Sequence, residues 1–241
     1  MQELSDFDSN AICAGPFGTI FKAKDFRDEG VPIIFLRHVT PGECKLDYKP
    51  GFMDREKWEE IFQPYSVYGG ELLVTKLGDP PGISAIFPPE RAPAMVTPDV
   101  IKMEPEPTTA LNVFLMHYLN SDQARKFTFG ASYGVTRLRM NLTIFRQMPV
   151  PLAPFEEQKV LAETVDSHLA SIKQVSEKVE AGFTRLESLN QSILAKAFRG
   201  ELVPQDPNDE PAFTLLERIR NEHQPNEKNK PRKSASGPIP S

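Results

Sequence analysis

The sequence predicts an α+β protein with a globular, strand-rich domain over residues 1–150, a long coiled-coil-forming helix over 151–202, and a short helix and tail over 203–241. Three observations carry this reading. In the first segment the short apolar runs IIFLRHV, ELLVTKL and ISAIF are separated by PGE, YGG and GDPPG, the alternation of strands and tight turns. In the second, apolar residues recur every seventh position at Val165, Ile172, Val179, Leu186 and Ile193, which marks a coiled-coil seam. The third opens with PQDPNDEP and closes with QPNEKNKPRKSASGPIPS, a polar, Pro-rich text that cannot bury enough apolar surface to fold.

Each element has a local cause. A helix is expected within Ala110–Leu119, where Leu111, Phe114, Leu115 and Tyr118 share one face at spacings of three and four. The long helix should start near Pro154, a favoured first-turn residue, followed by Glu156 and Glu157 at the positive end of the helix dipole. Leu161, Val175 and Leu189 fill a second seam position, and His168, Gly182 and Lys196 interrupt it. Lys196 and Arg199 followed by Gly200 form a plausible stop. A helix over 156–199 is about 66 Å long at roughly 1.5 Å per residue. After it, Phe213, Leu216 and Ile219 predict a short amphipathic helix from about Pro211, and the tail beyond is expected to be disordered.

Composition narrows the function. No apolar run approaches a membrane span, the N-terminus lacks the order of a signal peptide, and a cytoplasmic location is expected. Cys13 and Cys44 are the only cysteines, too few for a disulfide framework or a Cys-rich zinc site, and both are expected to be reduced. The net charge of −5 means that any face for a polyanion must be local. Residues 1–100 hold 10 basic and 16 acidic side chains, whereas 101–150 hold 6 and 3, so the cations gather just before the long helix.

Four stretches carry a family resemblance. GPFGTIFKAKDFRDEGVPIIFLRHVTPGE, with its Gly-Pro-Phe-Gly turn, looks like the opening of a target-recognition domain. YGGELLVTKLGDPPGISAIF is similar to a Gly-Asp-Ile-Leu strand and its Gly-rich loop, with Glu71 where Asp is more usual. More specific are MPVPLAPFEEQKVLAETV and LNQSILAKAFRGELVPQDPNDEPAFTLLERI, which resemble the regions flanking a spacer helix. The chain thus resembles the specificity subunits of Type I restriction-modification systems.

The resemblance implies a non-catalytic subunit that reads double-stranded DNA and docks methyltransferase subunits, with a restriction and translocase subunit joining through the complex. It implies no cofactor in this chain and S-adenosylmethionine in the methyltransferase subunits. A full-length member has two recognition domains and two antiparallel spacer helices; this chain has one of each, as a half-subunit that pairs with its own copy or as a fragment. Candidate dimerisation residues are Leu161, Val165, Ile172, Val175, Val179, Leu186, Leu189 and Ile193.

Base reading needs hydrogen-bonding side chains on a rigid support, with phosphate contacts setting register. The candidates are Arg37 and His38 at one strand end, Thr75 and Lys76 at another, and Ser132, Tyr133, Thr136, Arg137 and Arg139 in ASYGVTRLRM. Arg137 and Arg139 would share a face on a strand. Bland roles stand beside these: strand-end charges for Arg37 and Lys76, packing for Tyr133, turn formation for Gly15, Gly18, Gly78 and Gly82, and a seam position for His168. Two other classes compete. Asp79, Pro80 and Pro81 begin the Asp-Pro-Pro-aromatic tetrapeptide of amino-methyltransferases, but Gly82 takes the fourth place, where a flipped base needs stacking. A coiled-coil adaptor of a methyltransferase complex that reads no DNA is the other.

Overall fold

The structure is a computed structural model and describes residues 1–5, 10–16, 20, 22, 25–132, 138–204 and 206–222. The chain divides into two compact units, residues 1–173 and 174–241, so the first turns of the long helix belong with the globular unit.

At the centre of the first unit is a four-stranded antiparallel sheet in the order Ile12–Ala14, Val100–Met103, Leu72–Thr75, Ser84–Ile86. A five-stranded mixed sheet runs Phe26–Arg27, Phe52–Met53, Val31–Ile34, Ala94–Val96, Ser66–Val67, with Val31–Ile34 and Ala94–Val96 parallel. The unbroken apolar run of ELLVTKL has a simple reason: its strand is covered on both faces. Alternate side chains point to opposite sides. Leu72 and Val74 pack with Ile101, Met103, Leu115, Leu119 and Phe145, and Leu73 packs with Val100, Ala85, Phe87 and Ile34. The helices Asn112–Leu119, Asp122–Ala131 and Leu142–Gln147 contribute to the first of these clusters.

One charged pair lies inside this packing. Lys102 Nζ is 3.5 Å from Glu71 Oε2, and both side chains are 7% exposed. Burial pushes the Glu71 carboxyl up to about 7, Lys102 pulls it down and Glu104 pushes it up. A carboxyl that holds its proton more tightly when folded favours the folded state at acid pH. That contribution is fully present below the unfolded value of 4.5 and is lost as pH rises through about 7. Glu71→Gln is therefore expected to flatten the pH dependence of the unfolding temperature across that window. An unchanged slope in urea or thermal melts would show that Glu71 ionises normally in the fold.

The long helix runs Phe155–Phe198, 44 residues, within one residue of the expected bounds at each end. In the first unit Gln158 fixes its start: fully buried, it accepts from the Leu111 N–H at 2.8 Å and donates to the carbonyls of Thr109 at 3.0 Å and Ala153 at 2.9 Å. Ala162 is buried beside it, and Asp166 pairs with His117 at 2.8 Å. In the second unit, helix Ala212–Glu222 follows the Gly200 turn, whose φ of 71° only glycine adopts cheaply. No helix among the described residues is long and apolar enough to cross a membrane.

Candidate nucleic-acid interface

The cationic candidates that are described gather at one edge of the globular unit. Leu77–Gly78 pairs with Leu138–Arg139, setting Arg139 opposite Leu77, and the Met140 N–H donates to the Lys76 carbonyl at 2.9 Å. Lys76 and Arg139 thus enter one surface from residues far apart in sequence. A groove of about 590 Å³ runs alongside, lined by Phe35, Arg37, Leu77, Thr97, Pro98 and Asp99 among others. It brings Arg37 to the same edge.

Arg37 is exposed, and its guanidinium lies over the Phe35 ring, 3.9 Å from the centroid. Its Nε donates to the Lys49 carbonyl at 3.2 Å, as does Nη2, so its charge is oriented without a carboxylate partner among the described residues. Lys76 is half-buried. Burial holds its ammonium below the usual value, Arg139 adds to that, and Asp99 opposes it. An incoming phosphate would relieve the repulsion between these two cations. Arg139 itself is exposed.

Two candidates sit differently from the expectation, and both require correction. His38 is 1% exposed. Its Nδ1 accepts from the Phe35 N–H at 3.3 Å, and Nε2 lies 3.0 Å from the Tyr48 carbonyl, a pattern that suits a neutral ring protonated on Nε2. Burial, then Arg37, lowers its affinity for a proton. Its stabilising contribution is present above the unfolded value of 6.5 and is lost as pH falls through the depressed folded value. Thr75 is also buried, its Oγ1 accepting from the N–H groups of Gly82 at 3.2 Å and Ile83 at 3.0 Å. Both side chains point inward and support loops, His38 from the 3-10 turn Leu36–His38 and Thr75 from the end of the strand Leu72–Thr75.

Ser132 caps helix Asp122–Ala131 and donates through its hydroxyl to the Thr128 carbonyl. Tyr133, Thr136 and Arg137 lie outside the described residues. Gly82 has φ 97°, and a Cβ there would meet Thr128 Cγ2 at 2.9 Å. An aromatic residue could not complete the Asp79-Pro80-Pro81 tetrapeptide at this turn. Cys44 is pushed up to about 12 by burial, which suppresses the reactive thiolate.

The loop 45–51 was not among the expected contacts, although it carries Tyr48, which is 54% exposed, and Lys49, held at φ 50°. The text KLDYKPG offers only a faint signal, an aromatic residue between lysines before Pro-Gly.

The globular unit is thus a strand-rich α+β domain that carries a cationic edge and the start of one long helix. Residues 68–181 match the Type I restriction modification DNA specificity domain. The chain is similar to the specificity subunits of Type I restriction-modification systems. The specificity subunit of the Type I restriction enzyme EcoBI of Escherichia coli is 29% identical over 217 residues, covering 86% of this chain and 44% of that subunit. The StySPI specificity subunit of Salmonella potsdam is 30% identical over 131 residues, covering 51% of this chain and 28% of that subunit. The fold is shared with the HsdS subunit from Thermoanaerobacter tengcongensis at a TM-score of 0.50 and 17% identity, covering 83% of this chain and 44% of that one. A chain from a structure of the type I R-M system, described for its complex assembly and conformational transition, gives a TM-score of 0.55 at 18% identity, covering 79% and 44%. The chain spans less than half the length of these relatives.

Proposed function

We propose that this chain reads one half of a bipartite DNA target, pairs with a second copy through its long helix, and docks methyltransferase subunits in the cytoplasm of a prokaryote. S-adenosylmethionine then belongs to those subunits, this chain is non-catalytic, and cleavage belongs to a restriction and translocase subunit. The observation that carries the reading is the helix. Leu161, Val165, Ile172, Val175, Val179, Leu186, Leu189 and Ile193 are between 37% and 61% exposed, an apolar stripe that water penalises until something covers it.

The pattern of the stripe favours an antiparallel copy. A parallel pair would set Gly182 against Gly182, leaving a void, and Lys196 against Lys196. With the two-fold axis at Glu177, the antiparallel pair instead sets Ile172 over Gly182 of the second copy and His168 beside its Leu186. Leu169 and Phe183, apolar flanking residues that are 51% and 62% exposed, then meet across the seam. Glu157 approaches Arg199 of the second copy, which adds charge complementarity. Such a two-fold pair would tend to read a symmetric target in two separated halves.

The test is reconstitution with the neighbouring methyltransferase subunit, mapping methylated adenines across a genome while measuring the mass of the complex. A symmetric, gapped motif with two copies of this chain per complex is the expected result. Arg137→Ala with Arg139→Ala should abolish the motif while leaving assembly intact. A stable complex with no motif would instead make the chain the coiled-coil adaptor or a fragment that needs another recognition domain.

A further inference from the structure

The loop 45–51 is held from below with unusual completeness for a surface segment. The Lys45 N–H donates to the His38 carbonyl at 2.8 Å, the His38 ring contacts the Tyr48 carbonyl, Arg37 donates to the Lys49 carbonyl, and the Ile33 N–H donates to the Gly51 carbonyl at 2.9 Å. Leu46 anchors it in the second apolar cluster. Gly51 lies against the Phe35 ring, where an added Cβ would meet Cε2 at 2.8 Å, so the loop seats on the same ring that carries Arg37.

What this support presents to solvent is Tyr48, with Lys49 Nζ 5.5 Å from its ring centroid. Lys49 and Arg37 have no carboxylate partner among the described residues, whereas the neighbouring charges Lys45 and Asp47 are paired with Glu43 and Arg91. An exposed aromatic side chain beside two uncompensated cations, all on one hydrogen-bonded scaffold, suits a polyanion that also offers flat rings. The groove lined by Arg37, Leu77 and Asp99 continues this surface to Arg139. The loop therefore extends the cationic edge and does not stand apart from it.

We propose that the loop 45–51 is a DNA-contacting element of the domain, in which Tyr48 reaches a base edge of the half-site and Lys49, with Arg37, takes the adjacent phosphate. The inference rests on the DNA-reading function proposed above and assigns it two residues, Tyr48 and Lys49, that lie before the matched residues 68–181. Phosphate contact sets the position of the loop on the duplex, and contact with the base adds sequence preference. The buried His38 stays out of the contact and sets where the loop stands.

The test uses the full chain reconstituted with its methyltransferase subunit and compares Tyr48→Ala, Tyr48→Phe and Lys49→Ala with the wild type. Because both side chains are exposed, unfolding temperatures should be unchanged. Lys49→Ala should weaken binding alike on cognate and random duplexes and reduce the slope of log affinity against log salt by about 1. Tyr48→Ala should lower affinity for the cognate duplex about 10- to 100-fold and relax the methylated motif at one position. Tyr48→Phe should fall between the two. If the wild-type complex methylates a gapped motif and both alanine variants keep its motif, affinity and salt slope, the loop is not a contact and the proposal is overturned while the DNA-reading function stands. If the wild-type complex has no sequence preference, both fall together.

Discussion

Gln158→Leu is expected to lower the unfolding temperature of the globular unit strongly. The glutamine satisfies one backbone donor and two backbone acceptors through three hydrogen bonds, and its side chain has no access to water. Leucine fills much of the volume but leaves the Leu111 N–H and the Thr109 and Ala153 carbonyls unpaired in a buried place. Each such group costs about 1–3 kcal/mol. A loss of roughly 3 kcal/mol or more follows, which for a chain of this size is on the order of 6–12 °C. The effect on function should be larger than on folding. Gln158 and the His117–Asp166 pair hold the start of the helix to the globular unit, so under the proposed function the variant should lose the methylation motif at temperatures where it is still folded. Glu at 158 can accept from Leu111 but sets a carboxylate oxygen against two carbonyls, and should be worse than Leu. A Leu variant that melts with the wild type, measured by circular dichroism or calorimetry, would sink the idea that this residue ties helix to domain.

Val179→Asp is the second change with a large expected effect, and it acts between copies of the chain. Val179 is 52% exposed in the single chain, so an aspartate there is hydrated and the isolated helix should form normally. In the proposed antiparallel pair Val179 would face Val175 of the second copy near the two-fold axis, so the variant would bury two carboxylates close together. An unpaired buried charge costs several kcal/mol, corresponding to at least a 100-fold weaker association. Sedimentation at micromolar concentration should therefore give a monomer for the variant and a dimer for the wild type, with helical content similar in both once concentration is matched. A wild-type chain that sediments as a monomer would mean that the stripe is covered by another subunit. Gly182→Ala gives a milder companion test. Nothing lies within 4 Å of the added methyl in the single chain, so helix stability should rise by about 1 kcal/mol, while the methyl meets Ile172 of the second copy in the pair.

The long helix was readable residue by residue because its causes are local. A heptad repeat, an acidic first turn and a Gly stop act over distances of a few residues, and the helix ends within a residue of where those signals fall. The α+β class was readable for the same reason, since strand runs and turn residues alternate visibly along the first segment. Which candidate side chains stand at the surface was not readable. Arg37 and His38 are adjacent, yet one is exposed over Phe35 and the other is sealed beneath the loop 45–51, because the 3-10 turn Leu36–His38 sends them to different sides and the loop closes over the second. Thr75 went inward by the same logic. Gln158 looks in sequence like any polar residue on a helix surface. Its burial depends on Leu111 and Thr109, 47 and 49 residues away, and contacts at that separation leave no mark on local periodicity. Local propensity thus wrote the elements, and the assembly of distant segments into one edge chose which charges face outward.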